Sequence, residues 1–248
     1  MGLFDLFKGK DSGAPKQSAA EKSAGKWAEA AGSKRAQNYD RQEALNELAK
    51  MGSPEAVSAL LRRFTFVIDP SITDQEEKDV AFVGILKAGE DAVEPVRAFA
   101  AKAESLAWPM KILKELLEEE AFVGEVLLWL SKWDTEYAKF IDPKLQILTA
   151  LEEFKDARIV DGVLPFLDDV NEPARFHAVA TLIVQDDVRA LEPFVKLLEE
   201  EESVRVKNKI ADGLVARAWP IPEELRDLAR KSLPSGYVVD GSGVVTKR

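Results

Sequence analysis

A chain of 248 residues with 46% hydrophobic residues is long enough for one large or two ordinary domains, and too apolar to be disordered throughout. The absence of cysteine excludes disulfides, thiolate metal sites and a cysteine nucleophile, and a single histidine, His177, excludes a multi-histidine metal cluster. The formal net charge of −10 is uneven: residues 1–38 carry seven basic against four acidic residues, so the remainder is near −13 and repels phosphates across any broad face. Nucleic acid is therefore not expected as a partner. No apolar run approaches about 20 residues and no basic leader is visible, so neither a transmembrane span nor a secretory signal is expected, and a cytoplasmic location follows.

The first eight residues, "MGLFDLFK", place Leu3, Phe4, Leu6 and Phe7 where one or two helical turns would form an apolar face. Three placements are open to this segment. It can insert into a partner protein or touch a membrane peripherally through residues 3–7, fold back as an extra turn on the rest of the chain, or remain a tail, because so short a helix is unstable alone. Myristoylation at Gly2 is rejected, since Leu6 stands where Ser or Thr is wanted. Residues 9–37 follow as a flexible basic linker; "GKDSGAPKQSAAEKSAGK" is rich in Gly, Ser, Ala and Lys.

From residue 38 one phrase recurs. "DRQEALNEL" starts at 40, "EKDVAFVGI" at 77, "WPMKILKEL" at 108, "PKLQILTAL" at 143, "ARFHAVATL" at 174 and "VKNKIADGL" at 206. Intervals of 31 to 37 residues mark a stacked repeat. Each copy is followed by a second phrase: "SPEAVSALLRRF" from 53, "EDAVEPVRAF" from 90, "AFVGEVLLWL" from 121, "DARIVDGVLPFL" from 156, "DVRALEPFVKLL" from 187 and "PEELRDLA" from 222. Both phrases space apolar residues at i, i+3, i+4 and i+7, and Gly, Pro and Asp fall at the breaks "MGSP", "AGED", "FKDA" and "VQDD". Six units of helix, tight turn and helix are predicted over 38–231.

This pattern resembles the HEAT-repeat family. The residues carrying the resemblance are the basic column Arg41, Lys78, Lys144, Arg175 and Lys207, the apolar pairs such as Ala44-Leu45 and Ile147-Leu148, and the second-helix prolines Pro95, Pro165 and Pro193. The third copy departs, with Pro109 in place of the basic residue, which suits the first turn of a helix that starts later. What the resemblance implies is an all-α, right-handed alpha-alpha superhelix of about six helix pairs, with second helices lining a concave face that serves as a protein-binding scaffold. The same architecture also resembles certain DNA glycosylases and bilin lyases, so fold alone does not assign function.

At the end of the chain, residues 232–248 contain "YVVDGSGVVTKR", two β-branched runs around Asp240-Gly241-Ser242-Gly243, which predicts a β-hairpin capping the sixth unit. Asp240 is the only carboxylate in that turn, too few for calcium.

Candidate chemistry within the repeats is sparse. His177 occupies a free position of its phrase and reads as a surface residue. Trp129 reads as core. Trp133 and Asp134, in the insertion "SKWDTEYAKFID", could stack and stabilise a damaged base in a glycosylase-like site, or simply anchor a loop. The runs at 118–120 and 199–202 read as solvated charge, and the basic column as structural, each member pairing with a carboxylate of a neighbouring unit. Aligning the second phrases brings Ser58, Glu94, Gly124, Asp161 and Glu192 to one position, with Glu125 beside it, an acidic stripe along the expected concavity that suits a partner with a basic surface. The resulting expectation is a non-enzymatic scaffold or adaptor with no cofactor and no metal, contacting partners through Glu94, Glu125, Asp161 and Glu192 and through the N-terminal segment. A HEAT-like enzyme of the glycosylase or bilin lyase kind is the alternative.

Overall fold

The computed structural model describes residues 19–248. By internal contacts the chain divides into two compact units, Met1–Ala101 and Lys102–Arg248. Both are helical, and among the described residues the only strands form one short hairpin. No helix there is long and apolar enough to cross a membrane.

In the first unit, α1 (Ala19–Ala31) precedes two helix pairs, α2 (Asn38–Met51) with α3 (Pro54–Leu61), and α4 (Ser71–Lys87) with α5 (Val93–Ala100). Helices α2 and α4 lie side by side, as do α1, α3 and α5, so two layers form. Residues 9–18 of the linker expected over 9–37 lie outside the described ones, and within residues 19–31 helix α1 corrects that expectation. It buries Ala24 and Ala31 and half-buries Trp27 and Ala28, a 3-4 spacing written in alanine. Alanine is the best helix former but buries little area, so contact with α2 and α3 decides what composition left as linker. Where α4 crosses α2, Gly84 lets the backbones approach: a Cβ there would stand 2.6 Å from the Ala49 Cβ and 2.9 Å from its Cα.

The second unit stacks four pairs: α6 (Ala107–Leu116) with α7 (Glu119–Leu130), α8 (Asp142–Leu151) with α9 (Ala157–Val163), α10 (Glu172–Gln185) with α11 (Leu191–Glu200), and α12 (Val204–Arg217) with α13 (Glu223–Ser232). Helices α8, α10 and α12 form one row, while α7 packs on α9 and α11 on α13 in the other. The apolar pairs of the first phrase are the core: Ile112, Leu113, Ile147, Leu148, Ala178, Val179, Ile210 and Ala211 are all fully buried. Pro109 falls in the first turn of α6. Pro165 cannot donate to the α-ladder, and α9 passes into a 3-10 turn over Leu164–Asp168.

The hairpin pairs β1 (Tyr237–Val239) with β2 (Val245–Lys247), setting Tyr237 opposite Lys247. It packs on α12 and α13: Val245 is buried, Tyr237 Oη donates to Asp212 at 2.8 Å, and Lys247 pairs with the same carboxylate. Asp240 Oδ1 accepts from the Ser242 and Val244 amides and the Ser242 hydroxyl, which closes the turn.

Helix α12 ends on Ala218, an exposed residue at φ 51°, ψ 32° in the left-handed region where glycine carries no Cβ penalty. Ala218→Gly is expected to raise stability by about 1 kcal/mol. Urea unfolding of the full chain checks this; a destabilised variant would show that the Ala218 methyl contributes more than its backbone conformation costs.

Candidate functional site

The basic column has a repeated job. At the start of their helices Arg41, Lys144 and Arg175 each bond a carbonyl of the preceding loop and then reach an acid of another helix or loop, whereas Lys207, expected to do the same, shows no such ion pair among the described residues. Arg41 donates to Ala36 O at 2.8 Å and to Glu77 at 2.7 Å, 36 residues away. Lys144 donates to Asp134 O and to Asp169, with both side chains wholly buried. Arg175 donates to Asp169 O and grips Glu201 with Nε and a terminal nitrogen at 2.7 and 2.8 Å. Burial pushes the Glu201 carboxyl up, but the Arg175 bonds outweigh it and leave its pKa below normal. Lys78 differs, pairing with Asp74 of its own helix. Glu201 therefore departs from the solvated run expected at 199–202: as the chain leaves α11 one of four consecutive acids turns inward.

In the first unit this column joins a buried cluster. Arg63 donates Nε to the Glu77 oxygen that Arg41 also holds, and a terminal nitrogen to Asp74 at 2.7 Å. Asp74 further accepts from Lys78 and from the Ile68 amide. Burial raises its pKa, yet the bonds from Lys78, Arg63 and Ile68 prevail and hold it at about 2. The cluster ties the loop before α4 to α2 and to the turn following α3.

The second-helix row carries a different device, one that the repeat alignment contained but that went unread. Asp156-Ala157-Arg158 and Asp187-Val188-Arg189 share the spacing Asp-x-Arg. Each Asp caps the backbone two residues on and holds the Arg guanidinium. Each Arg then reaches the preceding second helix, Arg158 to Glu120 O and Arg189 to Asp161 at 2.6 Å. The Arg side chains hold both Asp pKa values below normal.

The acidic stripe is placed as follows. Glu94, in the first unit, is exposed and paired with Arg97. Asp161 and Glu192, in the second, are exposed and paired with Arg189 and Lys196. Glu125 is not on this surface. It is buried and accepts the Trp129 indole N–H at 2.8 Å, because one residue beyond Gly124 turns a side chain about 100° around the helix. Between α9 and α11 lies a groove of about 420 Å³ lined by Leu164, Pro165, Pro193 and Leu197 together with Asp161, Asp168, Glu200 and Lys196.

The remaining candidates are engaged locally. His177 Nδ1 is 3.1 Å from both Thr149 Oγ1 and Glu152 Oε1 on α8. Trp129 is core. Trp133 lies under the Lys144 ammonium at 5.6 Å, and Asp134 accepts the Glu136 amide, the arrangement of a loop anchor. Leu3, Phe4, Leu6 and Phe7 lie outside the described residues. A scan against protein-family models finds no match for the chain, and a search of curated proteins finds none either.

Proposed function

We propose that this chain is a non-enzymatic scaffold of HEAT-like repeats, cytoplasmic, that holds partner proteins on the face of its second helices. The observation that supports this reading is the α9–α11 groove, whose apolar centre is edged by Asp161, Asp168, Lys196 and Glu200, the last turn before α11 being clipped to α9 by Arg189; Glu192 stands beside it, paired with Lys196. An apolar centre with a charged rim is the usual composition of a protein-binding patch, the rim setting which partners approach. The superhelical curvature implied by the family resemblance would make that face concave. Leu3, Phe4, Leu6 and Phe7 would supply a second contact in this reading.

The test reverses the exposed acids, Glu94→Lys, Asp161→Lys and Glu192→Lys, in the full chain used as bait. Each acid belongs to an exposed pair, so stability should change by no more than about 1 kcal/mol and the helical circular dichroism should persist. Proteins retained by the wild type should be lost from the variant. An unchanged retained set would remove these acids from the binding face, and excision of an alkylated base by the wild-type chain would replace the scaffold with the enzyme reading.

A further inference from the structure

Seven of the ten large apolar side chains that stand exposed among the described residues lie in or at the segment leading into a first helix. Tyr39, Val67 and Ile72 do so in the first unit. In the second, Tyr137 and Phe140 precede α8, Val170 precedes α10, and Val204 opens α12. Apolar side chains scattered at random would not favour one edge of the repeat. Tyr137 is 71% exposed and Val204 69%, so neither is a core residue showing a corner.

This edge of the second unit is built before any partner arrives. The Val170 amide donates to Thr135 O at 2.8 Å, and the Asn171 side chain bonds both the amide and the carbonyl of Ala138. Lys144 holds Asp134 O from beneath with Trp133 against it. Glu172 in turn holds Ser203 and Arg205 at the start of α12. Three successive loops are thereby laced together, and the insertion at 131–142 carries the exposed Tyr137 and Phe140.

The charge left on the edge is negative. Its buried Lys144, half-buried Arg175 and exposed Arg205 are committed to Asp169, Glu201 and Glu172. Asp168, Glu200 and Glu202 are exposed and have no side-chain partner among the described residues, while Lys132, Lys139 and Lys207 on the same segments are outnumbered by these three acids together with Asp134, Glu136 and Asp142. Asp168, Glu200 and Glu202 line a depression of about 630 Å³ together with Leu167, Val170 and Leu197. Helix α11 also ends there, adding the partial negative charge of its carbonyls.

We infer that this inter-repeat edge is a second docking surface, and that its occupant is a protein segment in which lysine or arginine alternates with apolar or aromatic side chains. The cations meet Asp168, Glu200 and Glu202, and the apolar groups cover Tyr137, Phe140 and Val170. Because the loops are already tied, little ordering cost falls on this side of the complex. The surface rests on that reading only in sharing Asp168, Glu200 and Leu197 with the α9–α11 groove; it extends beyond it to Glu202, Tyr137, Phe140 and Val170 and does not need Asp161 or Glu192.

An array of short synthetic peptides alternating lysine or arginine with leucine, phenylalanine or tryptophan is probed with the full chain, and the tightest peptide is measured by fluorescence anisotropy at physiological ionic strength. Glu202→Lys, and separately Tyr137→Ser with Val170→Ser, should each weaken binding about tenfold or more. Asp161→Lys with Glu192→Lys should leave it unchanged. All these side chains are exposed, so circular dichroism should not move; if the serine pair alone lost its fold, Glu202→Lys would still decide. Absence of any bound peptide overturns the inference, as does binding that ignores Tyr137 and Val170 and vanishes with salt. Concentration-dependent dimerisation abolished by the serine pair also overturns it, since the occupant would then be a second copy. Loss of lysate partners through Asp161 and Glu192 alone would leave the second-helix scaffold standing while this edge fails.

Discussion

Arg63→Met should destabilise the chain by about 3 to 5 kcal/mol, because it leaves Asp74 and Glu77 charged inside a core that no longer compensates them. Arg63 is fully buried, and its guanidinium holds both carboxylates while also bonding Phe66 O and Asp74 O. Methionine fills much of the volume but offers no donor. Part of Glu77 remains held by Arg41 and part of Asp74 by Lys78, so unfolding is not expected to be complete at room temperature.

The same variant carries a pH signature. Asp74 has a folded pKa of about 2, below its ordinary 3.8. A carboxyl depressed in this way adds stability above its unfolded pKa, and that contribution is lost as pH falls through the folded value. The window therefore runs from about pH 4 down to about pH 2. In Arg63→Met burial is no longer opposed by the guanidinium, and the carboxyl protonates earlier. Urea midpoints of wild type and variant should differ most at neutral pH and converge as pH falls from about 4 towards about 2. A difference that stays constant across that range would show that Arg63 acts by packing, not charge.

Lys144→Met is the corresponding change in the second unit, and its expected loss is also about 3 to 5 kcal/mol. The ammonium is enclosed between Asp169, Asp134 O and the rings of Trp133 and Phe166, with no water-exposed surface on either partner of the ion pair. Removing it strands the Asp169 charge. Adding Asp169→Asn should restore a large part of the loss, because a neutral amide needs no cation and can still accept the Asn171 N–H that now reaches Asp169 Oδ1 at 2.8 Å. The double-mutant cycle should therefore show a coupling of roughly 2 kcal/mol, measured by chemical unfolding. Additive losses would mean that the two side chains are stabilised by separate neighbours.

The helix pairs were readable because their signal is local. Apolar spacing within ten residues places Leu45, Ile112, Ile147 and Ile210 inside, and all four are buried. Arg41, Lys144 and Arg175 were readable as structural for a chemical reason, since a cation at the same turn of successive pairs needs a counter-charge where the helices pack, but Lys78 pairs within its own helix and Lys207 shows no such pair among the described residues. The partners of those three were not readable. Glu77, Asp169 and Glu201 lie 25 to 36 residues from Arg41, Lys144 and Arg175, among many other acids. Glu125 shows the limit of reading a surface from aligned positions. One residue of offset carries it from the exposed row to a bond with Trp129, four residues on.

Periodicity, turn residues and repetition by themselves determined the helical class, the six pairs, their register and the terminal hairpin, since each depends on residues within one turn or one strand pairing. Tertiary structure alone decided three things. Helix α1 exists as a packed element because α2 and α3 accept its alanine face, a contact whose small area composition cannot reveal. Glu201 turned from solvated charge to buried partner because Arg175 satisfies both of its oxygens. The loops that carry Tyr137, Val170 and Val204 are held side by side because hydrogen bonds link segments that are 30 or more residues apart, and no short window of sequence contains two of them.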